Sequence, residues 1–144
     1  MTYKIITGDI DDSFKDISLL MKENNIGFIP VKDDGKYIGV ITDRDICLAL
    51  STINNVNDSI KSYITNNIIY IDVNSDIDNA LKTMSSNKVK RLLVKDKDKI
   101  IGVLSLSDIL NYTNNKNIIS TYKTIFYIHD NDNSNMVEID EFYL

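Results

Sequence analysis

A chain of 144 residues that is 43% hydrophobic can bury one compact core, and its single cysteine, Cys47, has no partner for an internal disulfide. A formal charge of −5 excludes a broad nucleic-acid surface, which needs clustered cations, and no apolar run approaches the roughly 18 residues of a membrane helix. One histidine, His129, and five scattered glycines exclude a His-based triad, a multi-His metal centre and a Gly-rich phosphate loop, so no enzyme and no catalytic cofactor are expected.

In chain order, residues 4–7 read as a short strand. Phe14, Ile17 and Met21 follow at helical spacing, and the pattern predicts a helix over 13–24 with Ser13 as its N-cap. A second strand is expected at 28–32, where Pro30 implies a sheet edge or a bulge. The polar turn DDGK (33–36) leads into a third strand at 37–41, apolar apart from Gly39 and so expected to be buried on both faces. A second helix starts at Thr42 and carries Cys47, expected as a small buried residue. A short lead-in helix is expected near 59–64. The same series then returns: a strand at 67–71, and a helix over 75–87 capped by Ser75 and carrying Ile77, Ala80 and Met84. A strand at 91–95, the turn DKDK (96–99), a strand at 100–104 and a helix from Ser105 complete it.

The second series repeats the first at a constant offset of 63, the distance from Gly39 to Gly102. IGFIPVKDDGKYIGVITDRDI (26–46) lies over VKRLLVKDKDKIIGVLSLSDI (89–109) without a gap. One such unit buries too little surface to be stable alone. Two packed face to face with pseudo-twofold symmetry solve that and leave related grooves between their sheets. The organisation expected is a first repeat over 1–55, a second over 56–114 and an extension over 115–144.

Thr42 and Ser105 stand where a strand turns into a helix, with Asp45 and Asp108 three residues on. A helix N-terminus attracts anions through its unpaired N–H groups. A carboxylate in that first turn repels phosphate but accepts hydrogen bonds from a vicinal diol. Phosphate must then meet cations, and Arg44, Lys90 and Arg91 are near in sequence. T-x-x-D and S-x-x-D also read as capping boxes, which stabilise a helix and imply no ligand. The two roles are compatible.

The twice-written pattern strand–helix–strand–turn–strand with G-h-x-[ST]-x-x-D resembles the CBS domain, named after cystathionine β-synthase, and the tandem resembles a Bateman module. The resemblance covers roughly residues 4–113. It implies an α/β (α+β) fold of two β-α-β-β-α repeats and a regulatory module binding an adenosine-containing ligand: AMP, ADP, ATP, S-adenosylmethionine or a dinucleotide. It places the ribose on Asp45 and Asp108, which would face one shared crevice. It places Thr42, Ser105, Arg44, Lys90 and Arg91 near ribose or phosphate, with Ser107 in the place of Arg44. It sets the adenine among Ile6, Ile26, Phe28 and Val89. Family members commonly form homodimers. A purely structural dimerisation or partner-binding module is the alternative. Three departures stand out: Gly8 replaces an aliphatic, Gly27 and Phe28 replace the pair Lys90–Arg91, and the first repeat lacks a lead-in helix. These departures suggest that the two grooves are not equivalent.

Past residue 113 the repeat ends. NIISTYKTIFYIH (117–129) could be an amphipathic helix or strand. The acidic run 130–141 has spacing like a calcium loop, but Asn135 stands where the loop needs glycine, so a polar loop before a docked segment around Val137, Ile139 and Phe142 is expected. Without a signal-like N-terminus, the cytoplasm is the expected compartment, with neither membrane nor nucleic acid as partner.

Overall fold

The computed structural model describes residue 1 and residues 3–112. The expectations for 117–141, the C-terminal extension and His129 lie outside the described residues. Two three-stranded sheets carry the chain. The first is ordered β1 (Gly8–Asp9), β2 (Phe28–Asp33), β3 (Lys36–Thr42); the second is ordered β4 (Tyr70–Asp72), β5 (Arg91–Asp96), β6 (Lys99–Ser105). In each sheet the first pairing is parallel and the second antiparallel. Helices α1 (Phe14–Asn24) and α2 (Asp43–Ala49) belong to the first repeat, α3 (Ile77–Asn87) and α4 (Leu106–Tyr112) to the second. This is the mixed fold of two β-α-β-β-α repeats that the constant offset predicts.

Each repeat has its own core. Phe14, Ile17, Met21, Ile29, Val31 and Ile41 form one; Ala80, Leu81, Met84, Leu92, Val94, Leu106 and Ile109 form the other. The two cores exchange volume between equivalent positions. Gly8 has no side chain, and a Cβ there would stand 2.5 Å from Ile17 Cδ1. In the second repeat the matching pair is Ile71 and Ala80, both buried, so the bulk has moved from the helix to the strand.

Helix α1 starts as expected at Ser13. Its hydroxyl accepts from the Asp16 amide while the Asp16 carboxylate accepts from the Ser13 amide. Helix α3 starts one residue later than expected. Asp76 caps it, its carboxylate accepting the Asn79 amide at 2.7 Å, and Ser75 lies outside. Both helices end on a left-handed residue, Asn25 (φ 52°) and Lys88 (φ 56°), and the next amides, Ile26 and Val89, donate back to Met21 and Met84. That closure throws the chain sharply into β2 and β5.

The first strands differ from the sequence expectation, most in the first repeat. Pro30 sits neither at an edge nor in a bulge but in the middle strand, opposite Val40; the register shift falls one residue later, at Val31/Lys32, and recurs at Val94/Lys95 without any proline. At the equivalent place in the second repeat the Leu93 amide donates to Ile69 at 3.0 Å and Tyr70 pairs with Leu93. Pro30 has no N–H to offer Ile6, and β1 is one residue shorter than β4; residues 4–6 and their equivalents 67–69 lie outside the strands in both repeats. Cys47 also departs from expectation: it is exposed. The inner face of α2 carries buried Ala49 and half-buried Ile46, and Cys47 falls on the outside with its repeat partner Leu110, which is 48% exposed. The third strands are not buried on both faces, and in β6 Gly102 alone is buried. Gly39 and Ile41 are buried, whereas Ile38 and Val40 are half-buried. The expected lead-in helix is a single 3-10 turn, Lys61–Tyr63.

The segment between the repeats closes the first one. Ile60 is fully buried in the first core, and Thr65 pairs with Val40 through two 2.9 Å backbone bonds. This close approach explains Gly39. A Cβ there would collide with the Ile64 side chain and lie 2.7 Å from the Thr65 carbonyl oxygen. Gly39→Ala is therefore expected to cost about 1–3 kcal/mol, because backbone rather than a mobile side-chain tip must move. A urea midpoint indistinguishable from wild type would show that the linker does not pack there.

Candidate functional site

Two grooves run between the repeats, and each draws one wall from each repeat. The first, of about 330 Å³, sets Thr42, Arg44 and Asp45 of the first repeat against Ile68, Ile69, Lys88, Val89, Lys90 and Arg91 of the second. The other, of about 220 Å³, sets Ser105, Ser107 and Asp108 of the second repeat against Ile5, Ile6, Ile26, Gly27 and Phe28 of the first. Shifted by 63, one wall maps onto the other. Val40 and Val103, the half-buried residues of β3 and β6, lie one in each groove. Each third strand thus gives one valine to a groove wall, which is why burial on both faces is not complete.

Asp45 and Asp108 do not share a crevice. Each lines its own groove, opposite the apolar lead-in of the other repeat. Of the expected adenine contacts, Ile6, Ile26 and Phe28 line the Asp108 groove, while Val89 lines the Asp45 groove together with Phe28. Arg91 and Phe28 reach both, and the Arg91 guanidinium carbon lies 5.8 Å from the Phe28 ring centre. Sequence reasoning missed Ile5, Ile68, Ile69 and Lys88. Adding 63 to Ile6 would have pointed to Ile69.

Both acidic motifs are capping boxes. Asp45 Oδ2 accepts the Thr42 amide at 2.8 Å and the Thr42 hydroxyl at 2.7 Å, and the Asp45 amide donates to Thr42 Oγ1 at 3.3 Å. Asp108 Oδ2 accepts the Ser105 amide at 2.8 Å and its hydroxyl at 2.6 Å, and the Asp108 amide donates to Ser105 Oγ at 3.1 Å. In each carboxylate the cap uses Oδ2 and leaves the acceptor sites of Oδ1. Asp108 Oδ1 lies 3.4 Å from the Met1 amino group. The first-turn amides of α2 are spent internally: Asp43 N donates to the Gly27 carbonyl at 3.2 Å and Arg44 N to Asp43 Oδ1 at 2.8 Å. The N-terminus of α2 therefore has no first-turn amide to spare at residues 43 and 44, in line with the expectation that cationic side chains and not the helix end would meet a phosphate. Gly27 is small because the Asp43 carboxylate occupies the place of its Cβ.

Burial pushes the Asp108 carboxyl up, but the Ser105 hydroxyl and amide, with the Met1 amino group, outweigh it and hold the pKa below the ordinary 3.8. A depressed native pKa stabilises the fold above 3.8, and that contribution is lost as the pH falls through the lower native value. The stability difference between wild type and Asp108→Asn should therefore be constant above pH 3.8 and shrink below it. Asp16, lowered by its bond from Ser13, is present in both proteins and cancels. A difference that grows on acidification, read from urea unfolding at a series of pH values, would contradict the assigned cap.

Among the described residues no group of three or more His, Cys, Asp or Glu could hold a metal, and no helix is long and apolar enough to cross a membrane. A family model for the CBS domain matches residues 1–52 and again residues 60–115. The chain belongs to the CBS domain family. As a CBS pair it is a regulatory module. CBS domain-containing protein YhcV of Bacillus subtilis is 26% identical over 110 residues, covering 76% of this chain and 79% of that protein. The crystal structure of CBS domain protein NE2398 matches with a TM-score of 0.69 at 28% identity, covering 76% of this chain and 87% of that one. The CBS pair of protein MJ0100, solved in complex with 5-methylthioadenosine and S-adenosyl-L-methionine, matches with a TM-score of 0.68 at 26% identity, covering 76% and 92%.

Proposed function

We propose that this CBS pair is a ligand sensor that takes an adenosine-containing molecule such as AMP, ADP, ATP or S-adenosylmethionine into the grooves between its repeats. One observation carries it: each groove opposes a capping carboxylate, Asp45 or Asp108, to an apolar wall from the other repeat, with Asp45 Oδ1 left over by its cap and Asp108 Oδ1 facing the Met1 amino group. A vicinal diol donates to such an oxygen, and an aromatic base fits such a wall. The solved MJ0100 pair with its two adenosine compounds supports the same ligand class. No covalent step is involved. Because each groove has one wall from each repeat, a ligand that binds one arrangement of the repeats more tightly shifts the module toward it. Thermal unfolding with AMP, ATP, S-adenosylmethionine and cyclic di-AMP tests this. A ligand at 100 times its Kd should add about 2.7 kcal/mol, and no shift with any of them would overturn the reading.

A second reading, a dimerisation module with unused grooves, is favoured by a different surface. Phe14, Leu19, Ile46, Leu50, Ile53 and Val56 line an apolar groove of about 340 Å³ shared by α1, α2 and the segment after α2. Leu48 beside it is 59% exposed and Leu50 60%. A second copy of the chain is the proposed occupant under either reading. Sedimentation should show a dimer that Leu50→Glu dissociates; a monomer at all concentrations would remove this assembly.

A further inference from the structure

We propose that the two grooves differ in their response to phosphate: the Asp45 groove favours a phosphorylated adenosine, and the Asp108 groove takes adenosine compounds without regard to phosphate. This rests on the adenosine reading above and deepens it. The repeat offset turns the comparison into matched pairs. Where the Asp45 groove presents Arg44, the Asp108 groove presents Ser107; where one presents Lys88 and Lys90, the other presents Asn25 and Gly27. Two exchanges run in the opposite sense, Lys4 matched by Asn67 and Asp43 matched by the uncharged Leu106; the Met1 amino group also stands 3.4 Å from Asp108 Oδ1, and Arg91 lines both grooves.

Side chains must make the distinction at the Asp45 groove. Amides 43–45 of α2 are already donated to Gly27, Asp43 and Thr42, and the Asp43 and Asp45 carboxylates repel an anion at that end. A phosphate is held only toward Arg44 and Lys90, away from the cap, as the 5′ end of a nucleoside would be when its ribose sits on Asp45. At the place matching Lys90 the Asp108 groove has Gly27, where a side chain would have to displace the Asp43 carboxylate. Its Ser107 hydroxyl is within 2.9 Å of Ser105 Oγ and offers a neutral polar contact instead.

The test is calorimetric titration of adenosine and of AMP into Asp108→Ala, which keeps the Asp45 groove, and into Asp45→Ala, which keeps the other. Asp108→Asn and Asp45→Asn serve the same purpose should an alanine variant unfold. AMP should exceed adenosine by at least about 10-fold in affinity at the Asp45 groove, and this preference should shrink at high salt. Arg44→Gln with Lys90→Gln, added to Asp108→Ala, should remove the preference. At the Asp108 groove the two compounds should bind alike, and adding Ser107→Arg to Asp45→Ala should raise AMP affinity alone. An equal phosphate preference in both grooves, or one confined to the Asp108 groove, would overturn the difference while leaving adenosine binding intact. Binding of neither compound to the wild-type protein would remove both proposals.

Discussion

Asp45→Ala is expected to weaken AMP binding at its groove by about 10- to 100-fold while lowering stability by no more than about 1 kcal/mol. The two effects separate because the carboxylate serves two partners through two oxygens. Oδ2 closes the capping box, accepting the Thr42 amide and hydroxyl. Losing it removes both bonds to the carboxylate but leaves the Thr42 hydroxyl able to accept the amide of residue 45, so the forward half of the cap stays. Oδ1 is the atom proposed for the ribose. Hydrogen bonds to a charged acceptor contribute about 1.5–3 kcal/mol each, and a neutral methyl offers nothing in return. Calorimetry for affinity and urea unfolding for stability read the two oxygens independently. Unchanged affinity beside a loss of stability would reduce Asp45 to a helix cap, and the diol proposal for both grooves would fail with it.

Ile17→Ala is expected to lower the unfolding free energy by about 2–5 kcal/mol, since Ile17 is wholly buried and leaves a cavity. Gly8→Ile alone is expected to destabilise by about 1–3 kcal/mol or more, because its new side chain is driven into Ile17. Together the two changes recreate the Ile71–Ala80 arrangement of the other repeat, and the double variant should be more stable than the sum of the single effects predicts. Denaturant titration of the four proteins closes the cycle. Strict additivity would mean that the two positions do not exchange volume and that the resemblance of the two cores at this point is accidental.

Gly8 also shows why a departure seen in one sequence position can mislead. Against its partner Ile71 it reads as an isolated defect. Ile17 over Ala80 reads as an ordinary substitution. Only their contact makes them one compensated exchange. Cys47 failed for a related reason: its alignment with Leu110 was sound, but alignment carries no direction, and both residues point outward.

By itself the sequence determined what is local or periodic. Apolar spacing marked α1 and α3, the turns 33–36 and 96–99 marked both hairpins, T-x-x-D and S-x-x-D marked both caps, and the offset of 63 declared two equivalent units. These features depend on neighbours a few residues apart, so they are written where they act. Tertiary structure decided which wall faces which. It put Asp45 opposite Val89 and Lys90 rather than in one crevice with Asp108, and it spent the α2 amides on Gly27, Asp43 and Thr42. It also let Pro30 shorten a strand more than twenty residues before it. An internal repeat states which residues are alike; contact between the copies is set by how their cores and sheets pack, and no spacing along the chain encodes that distance.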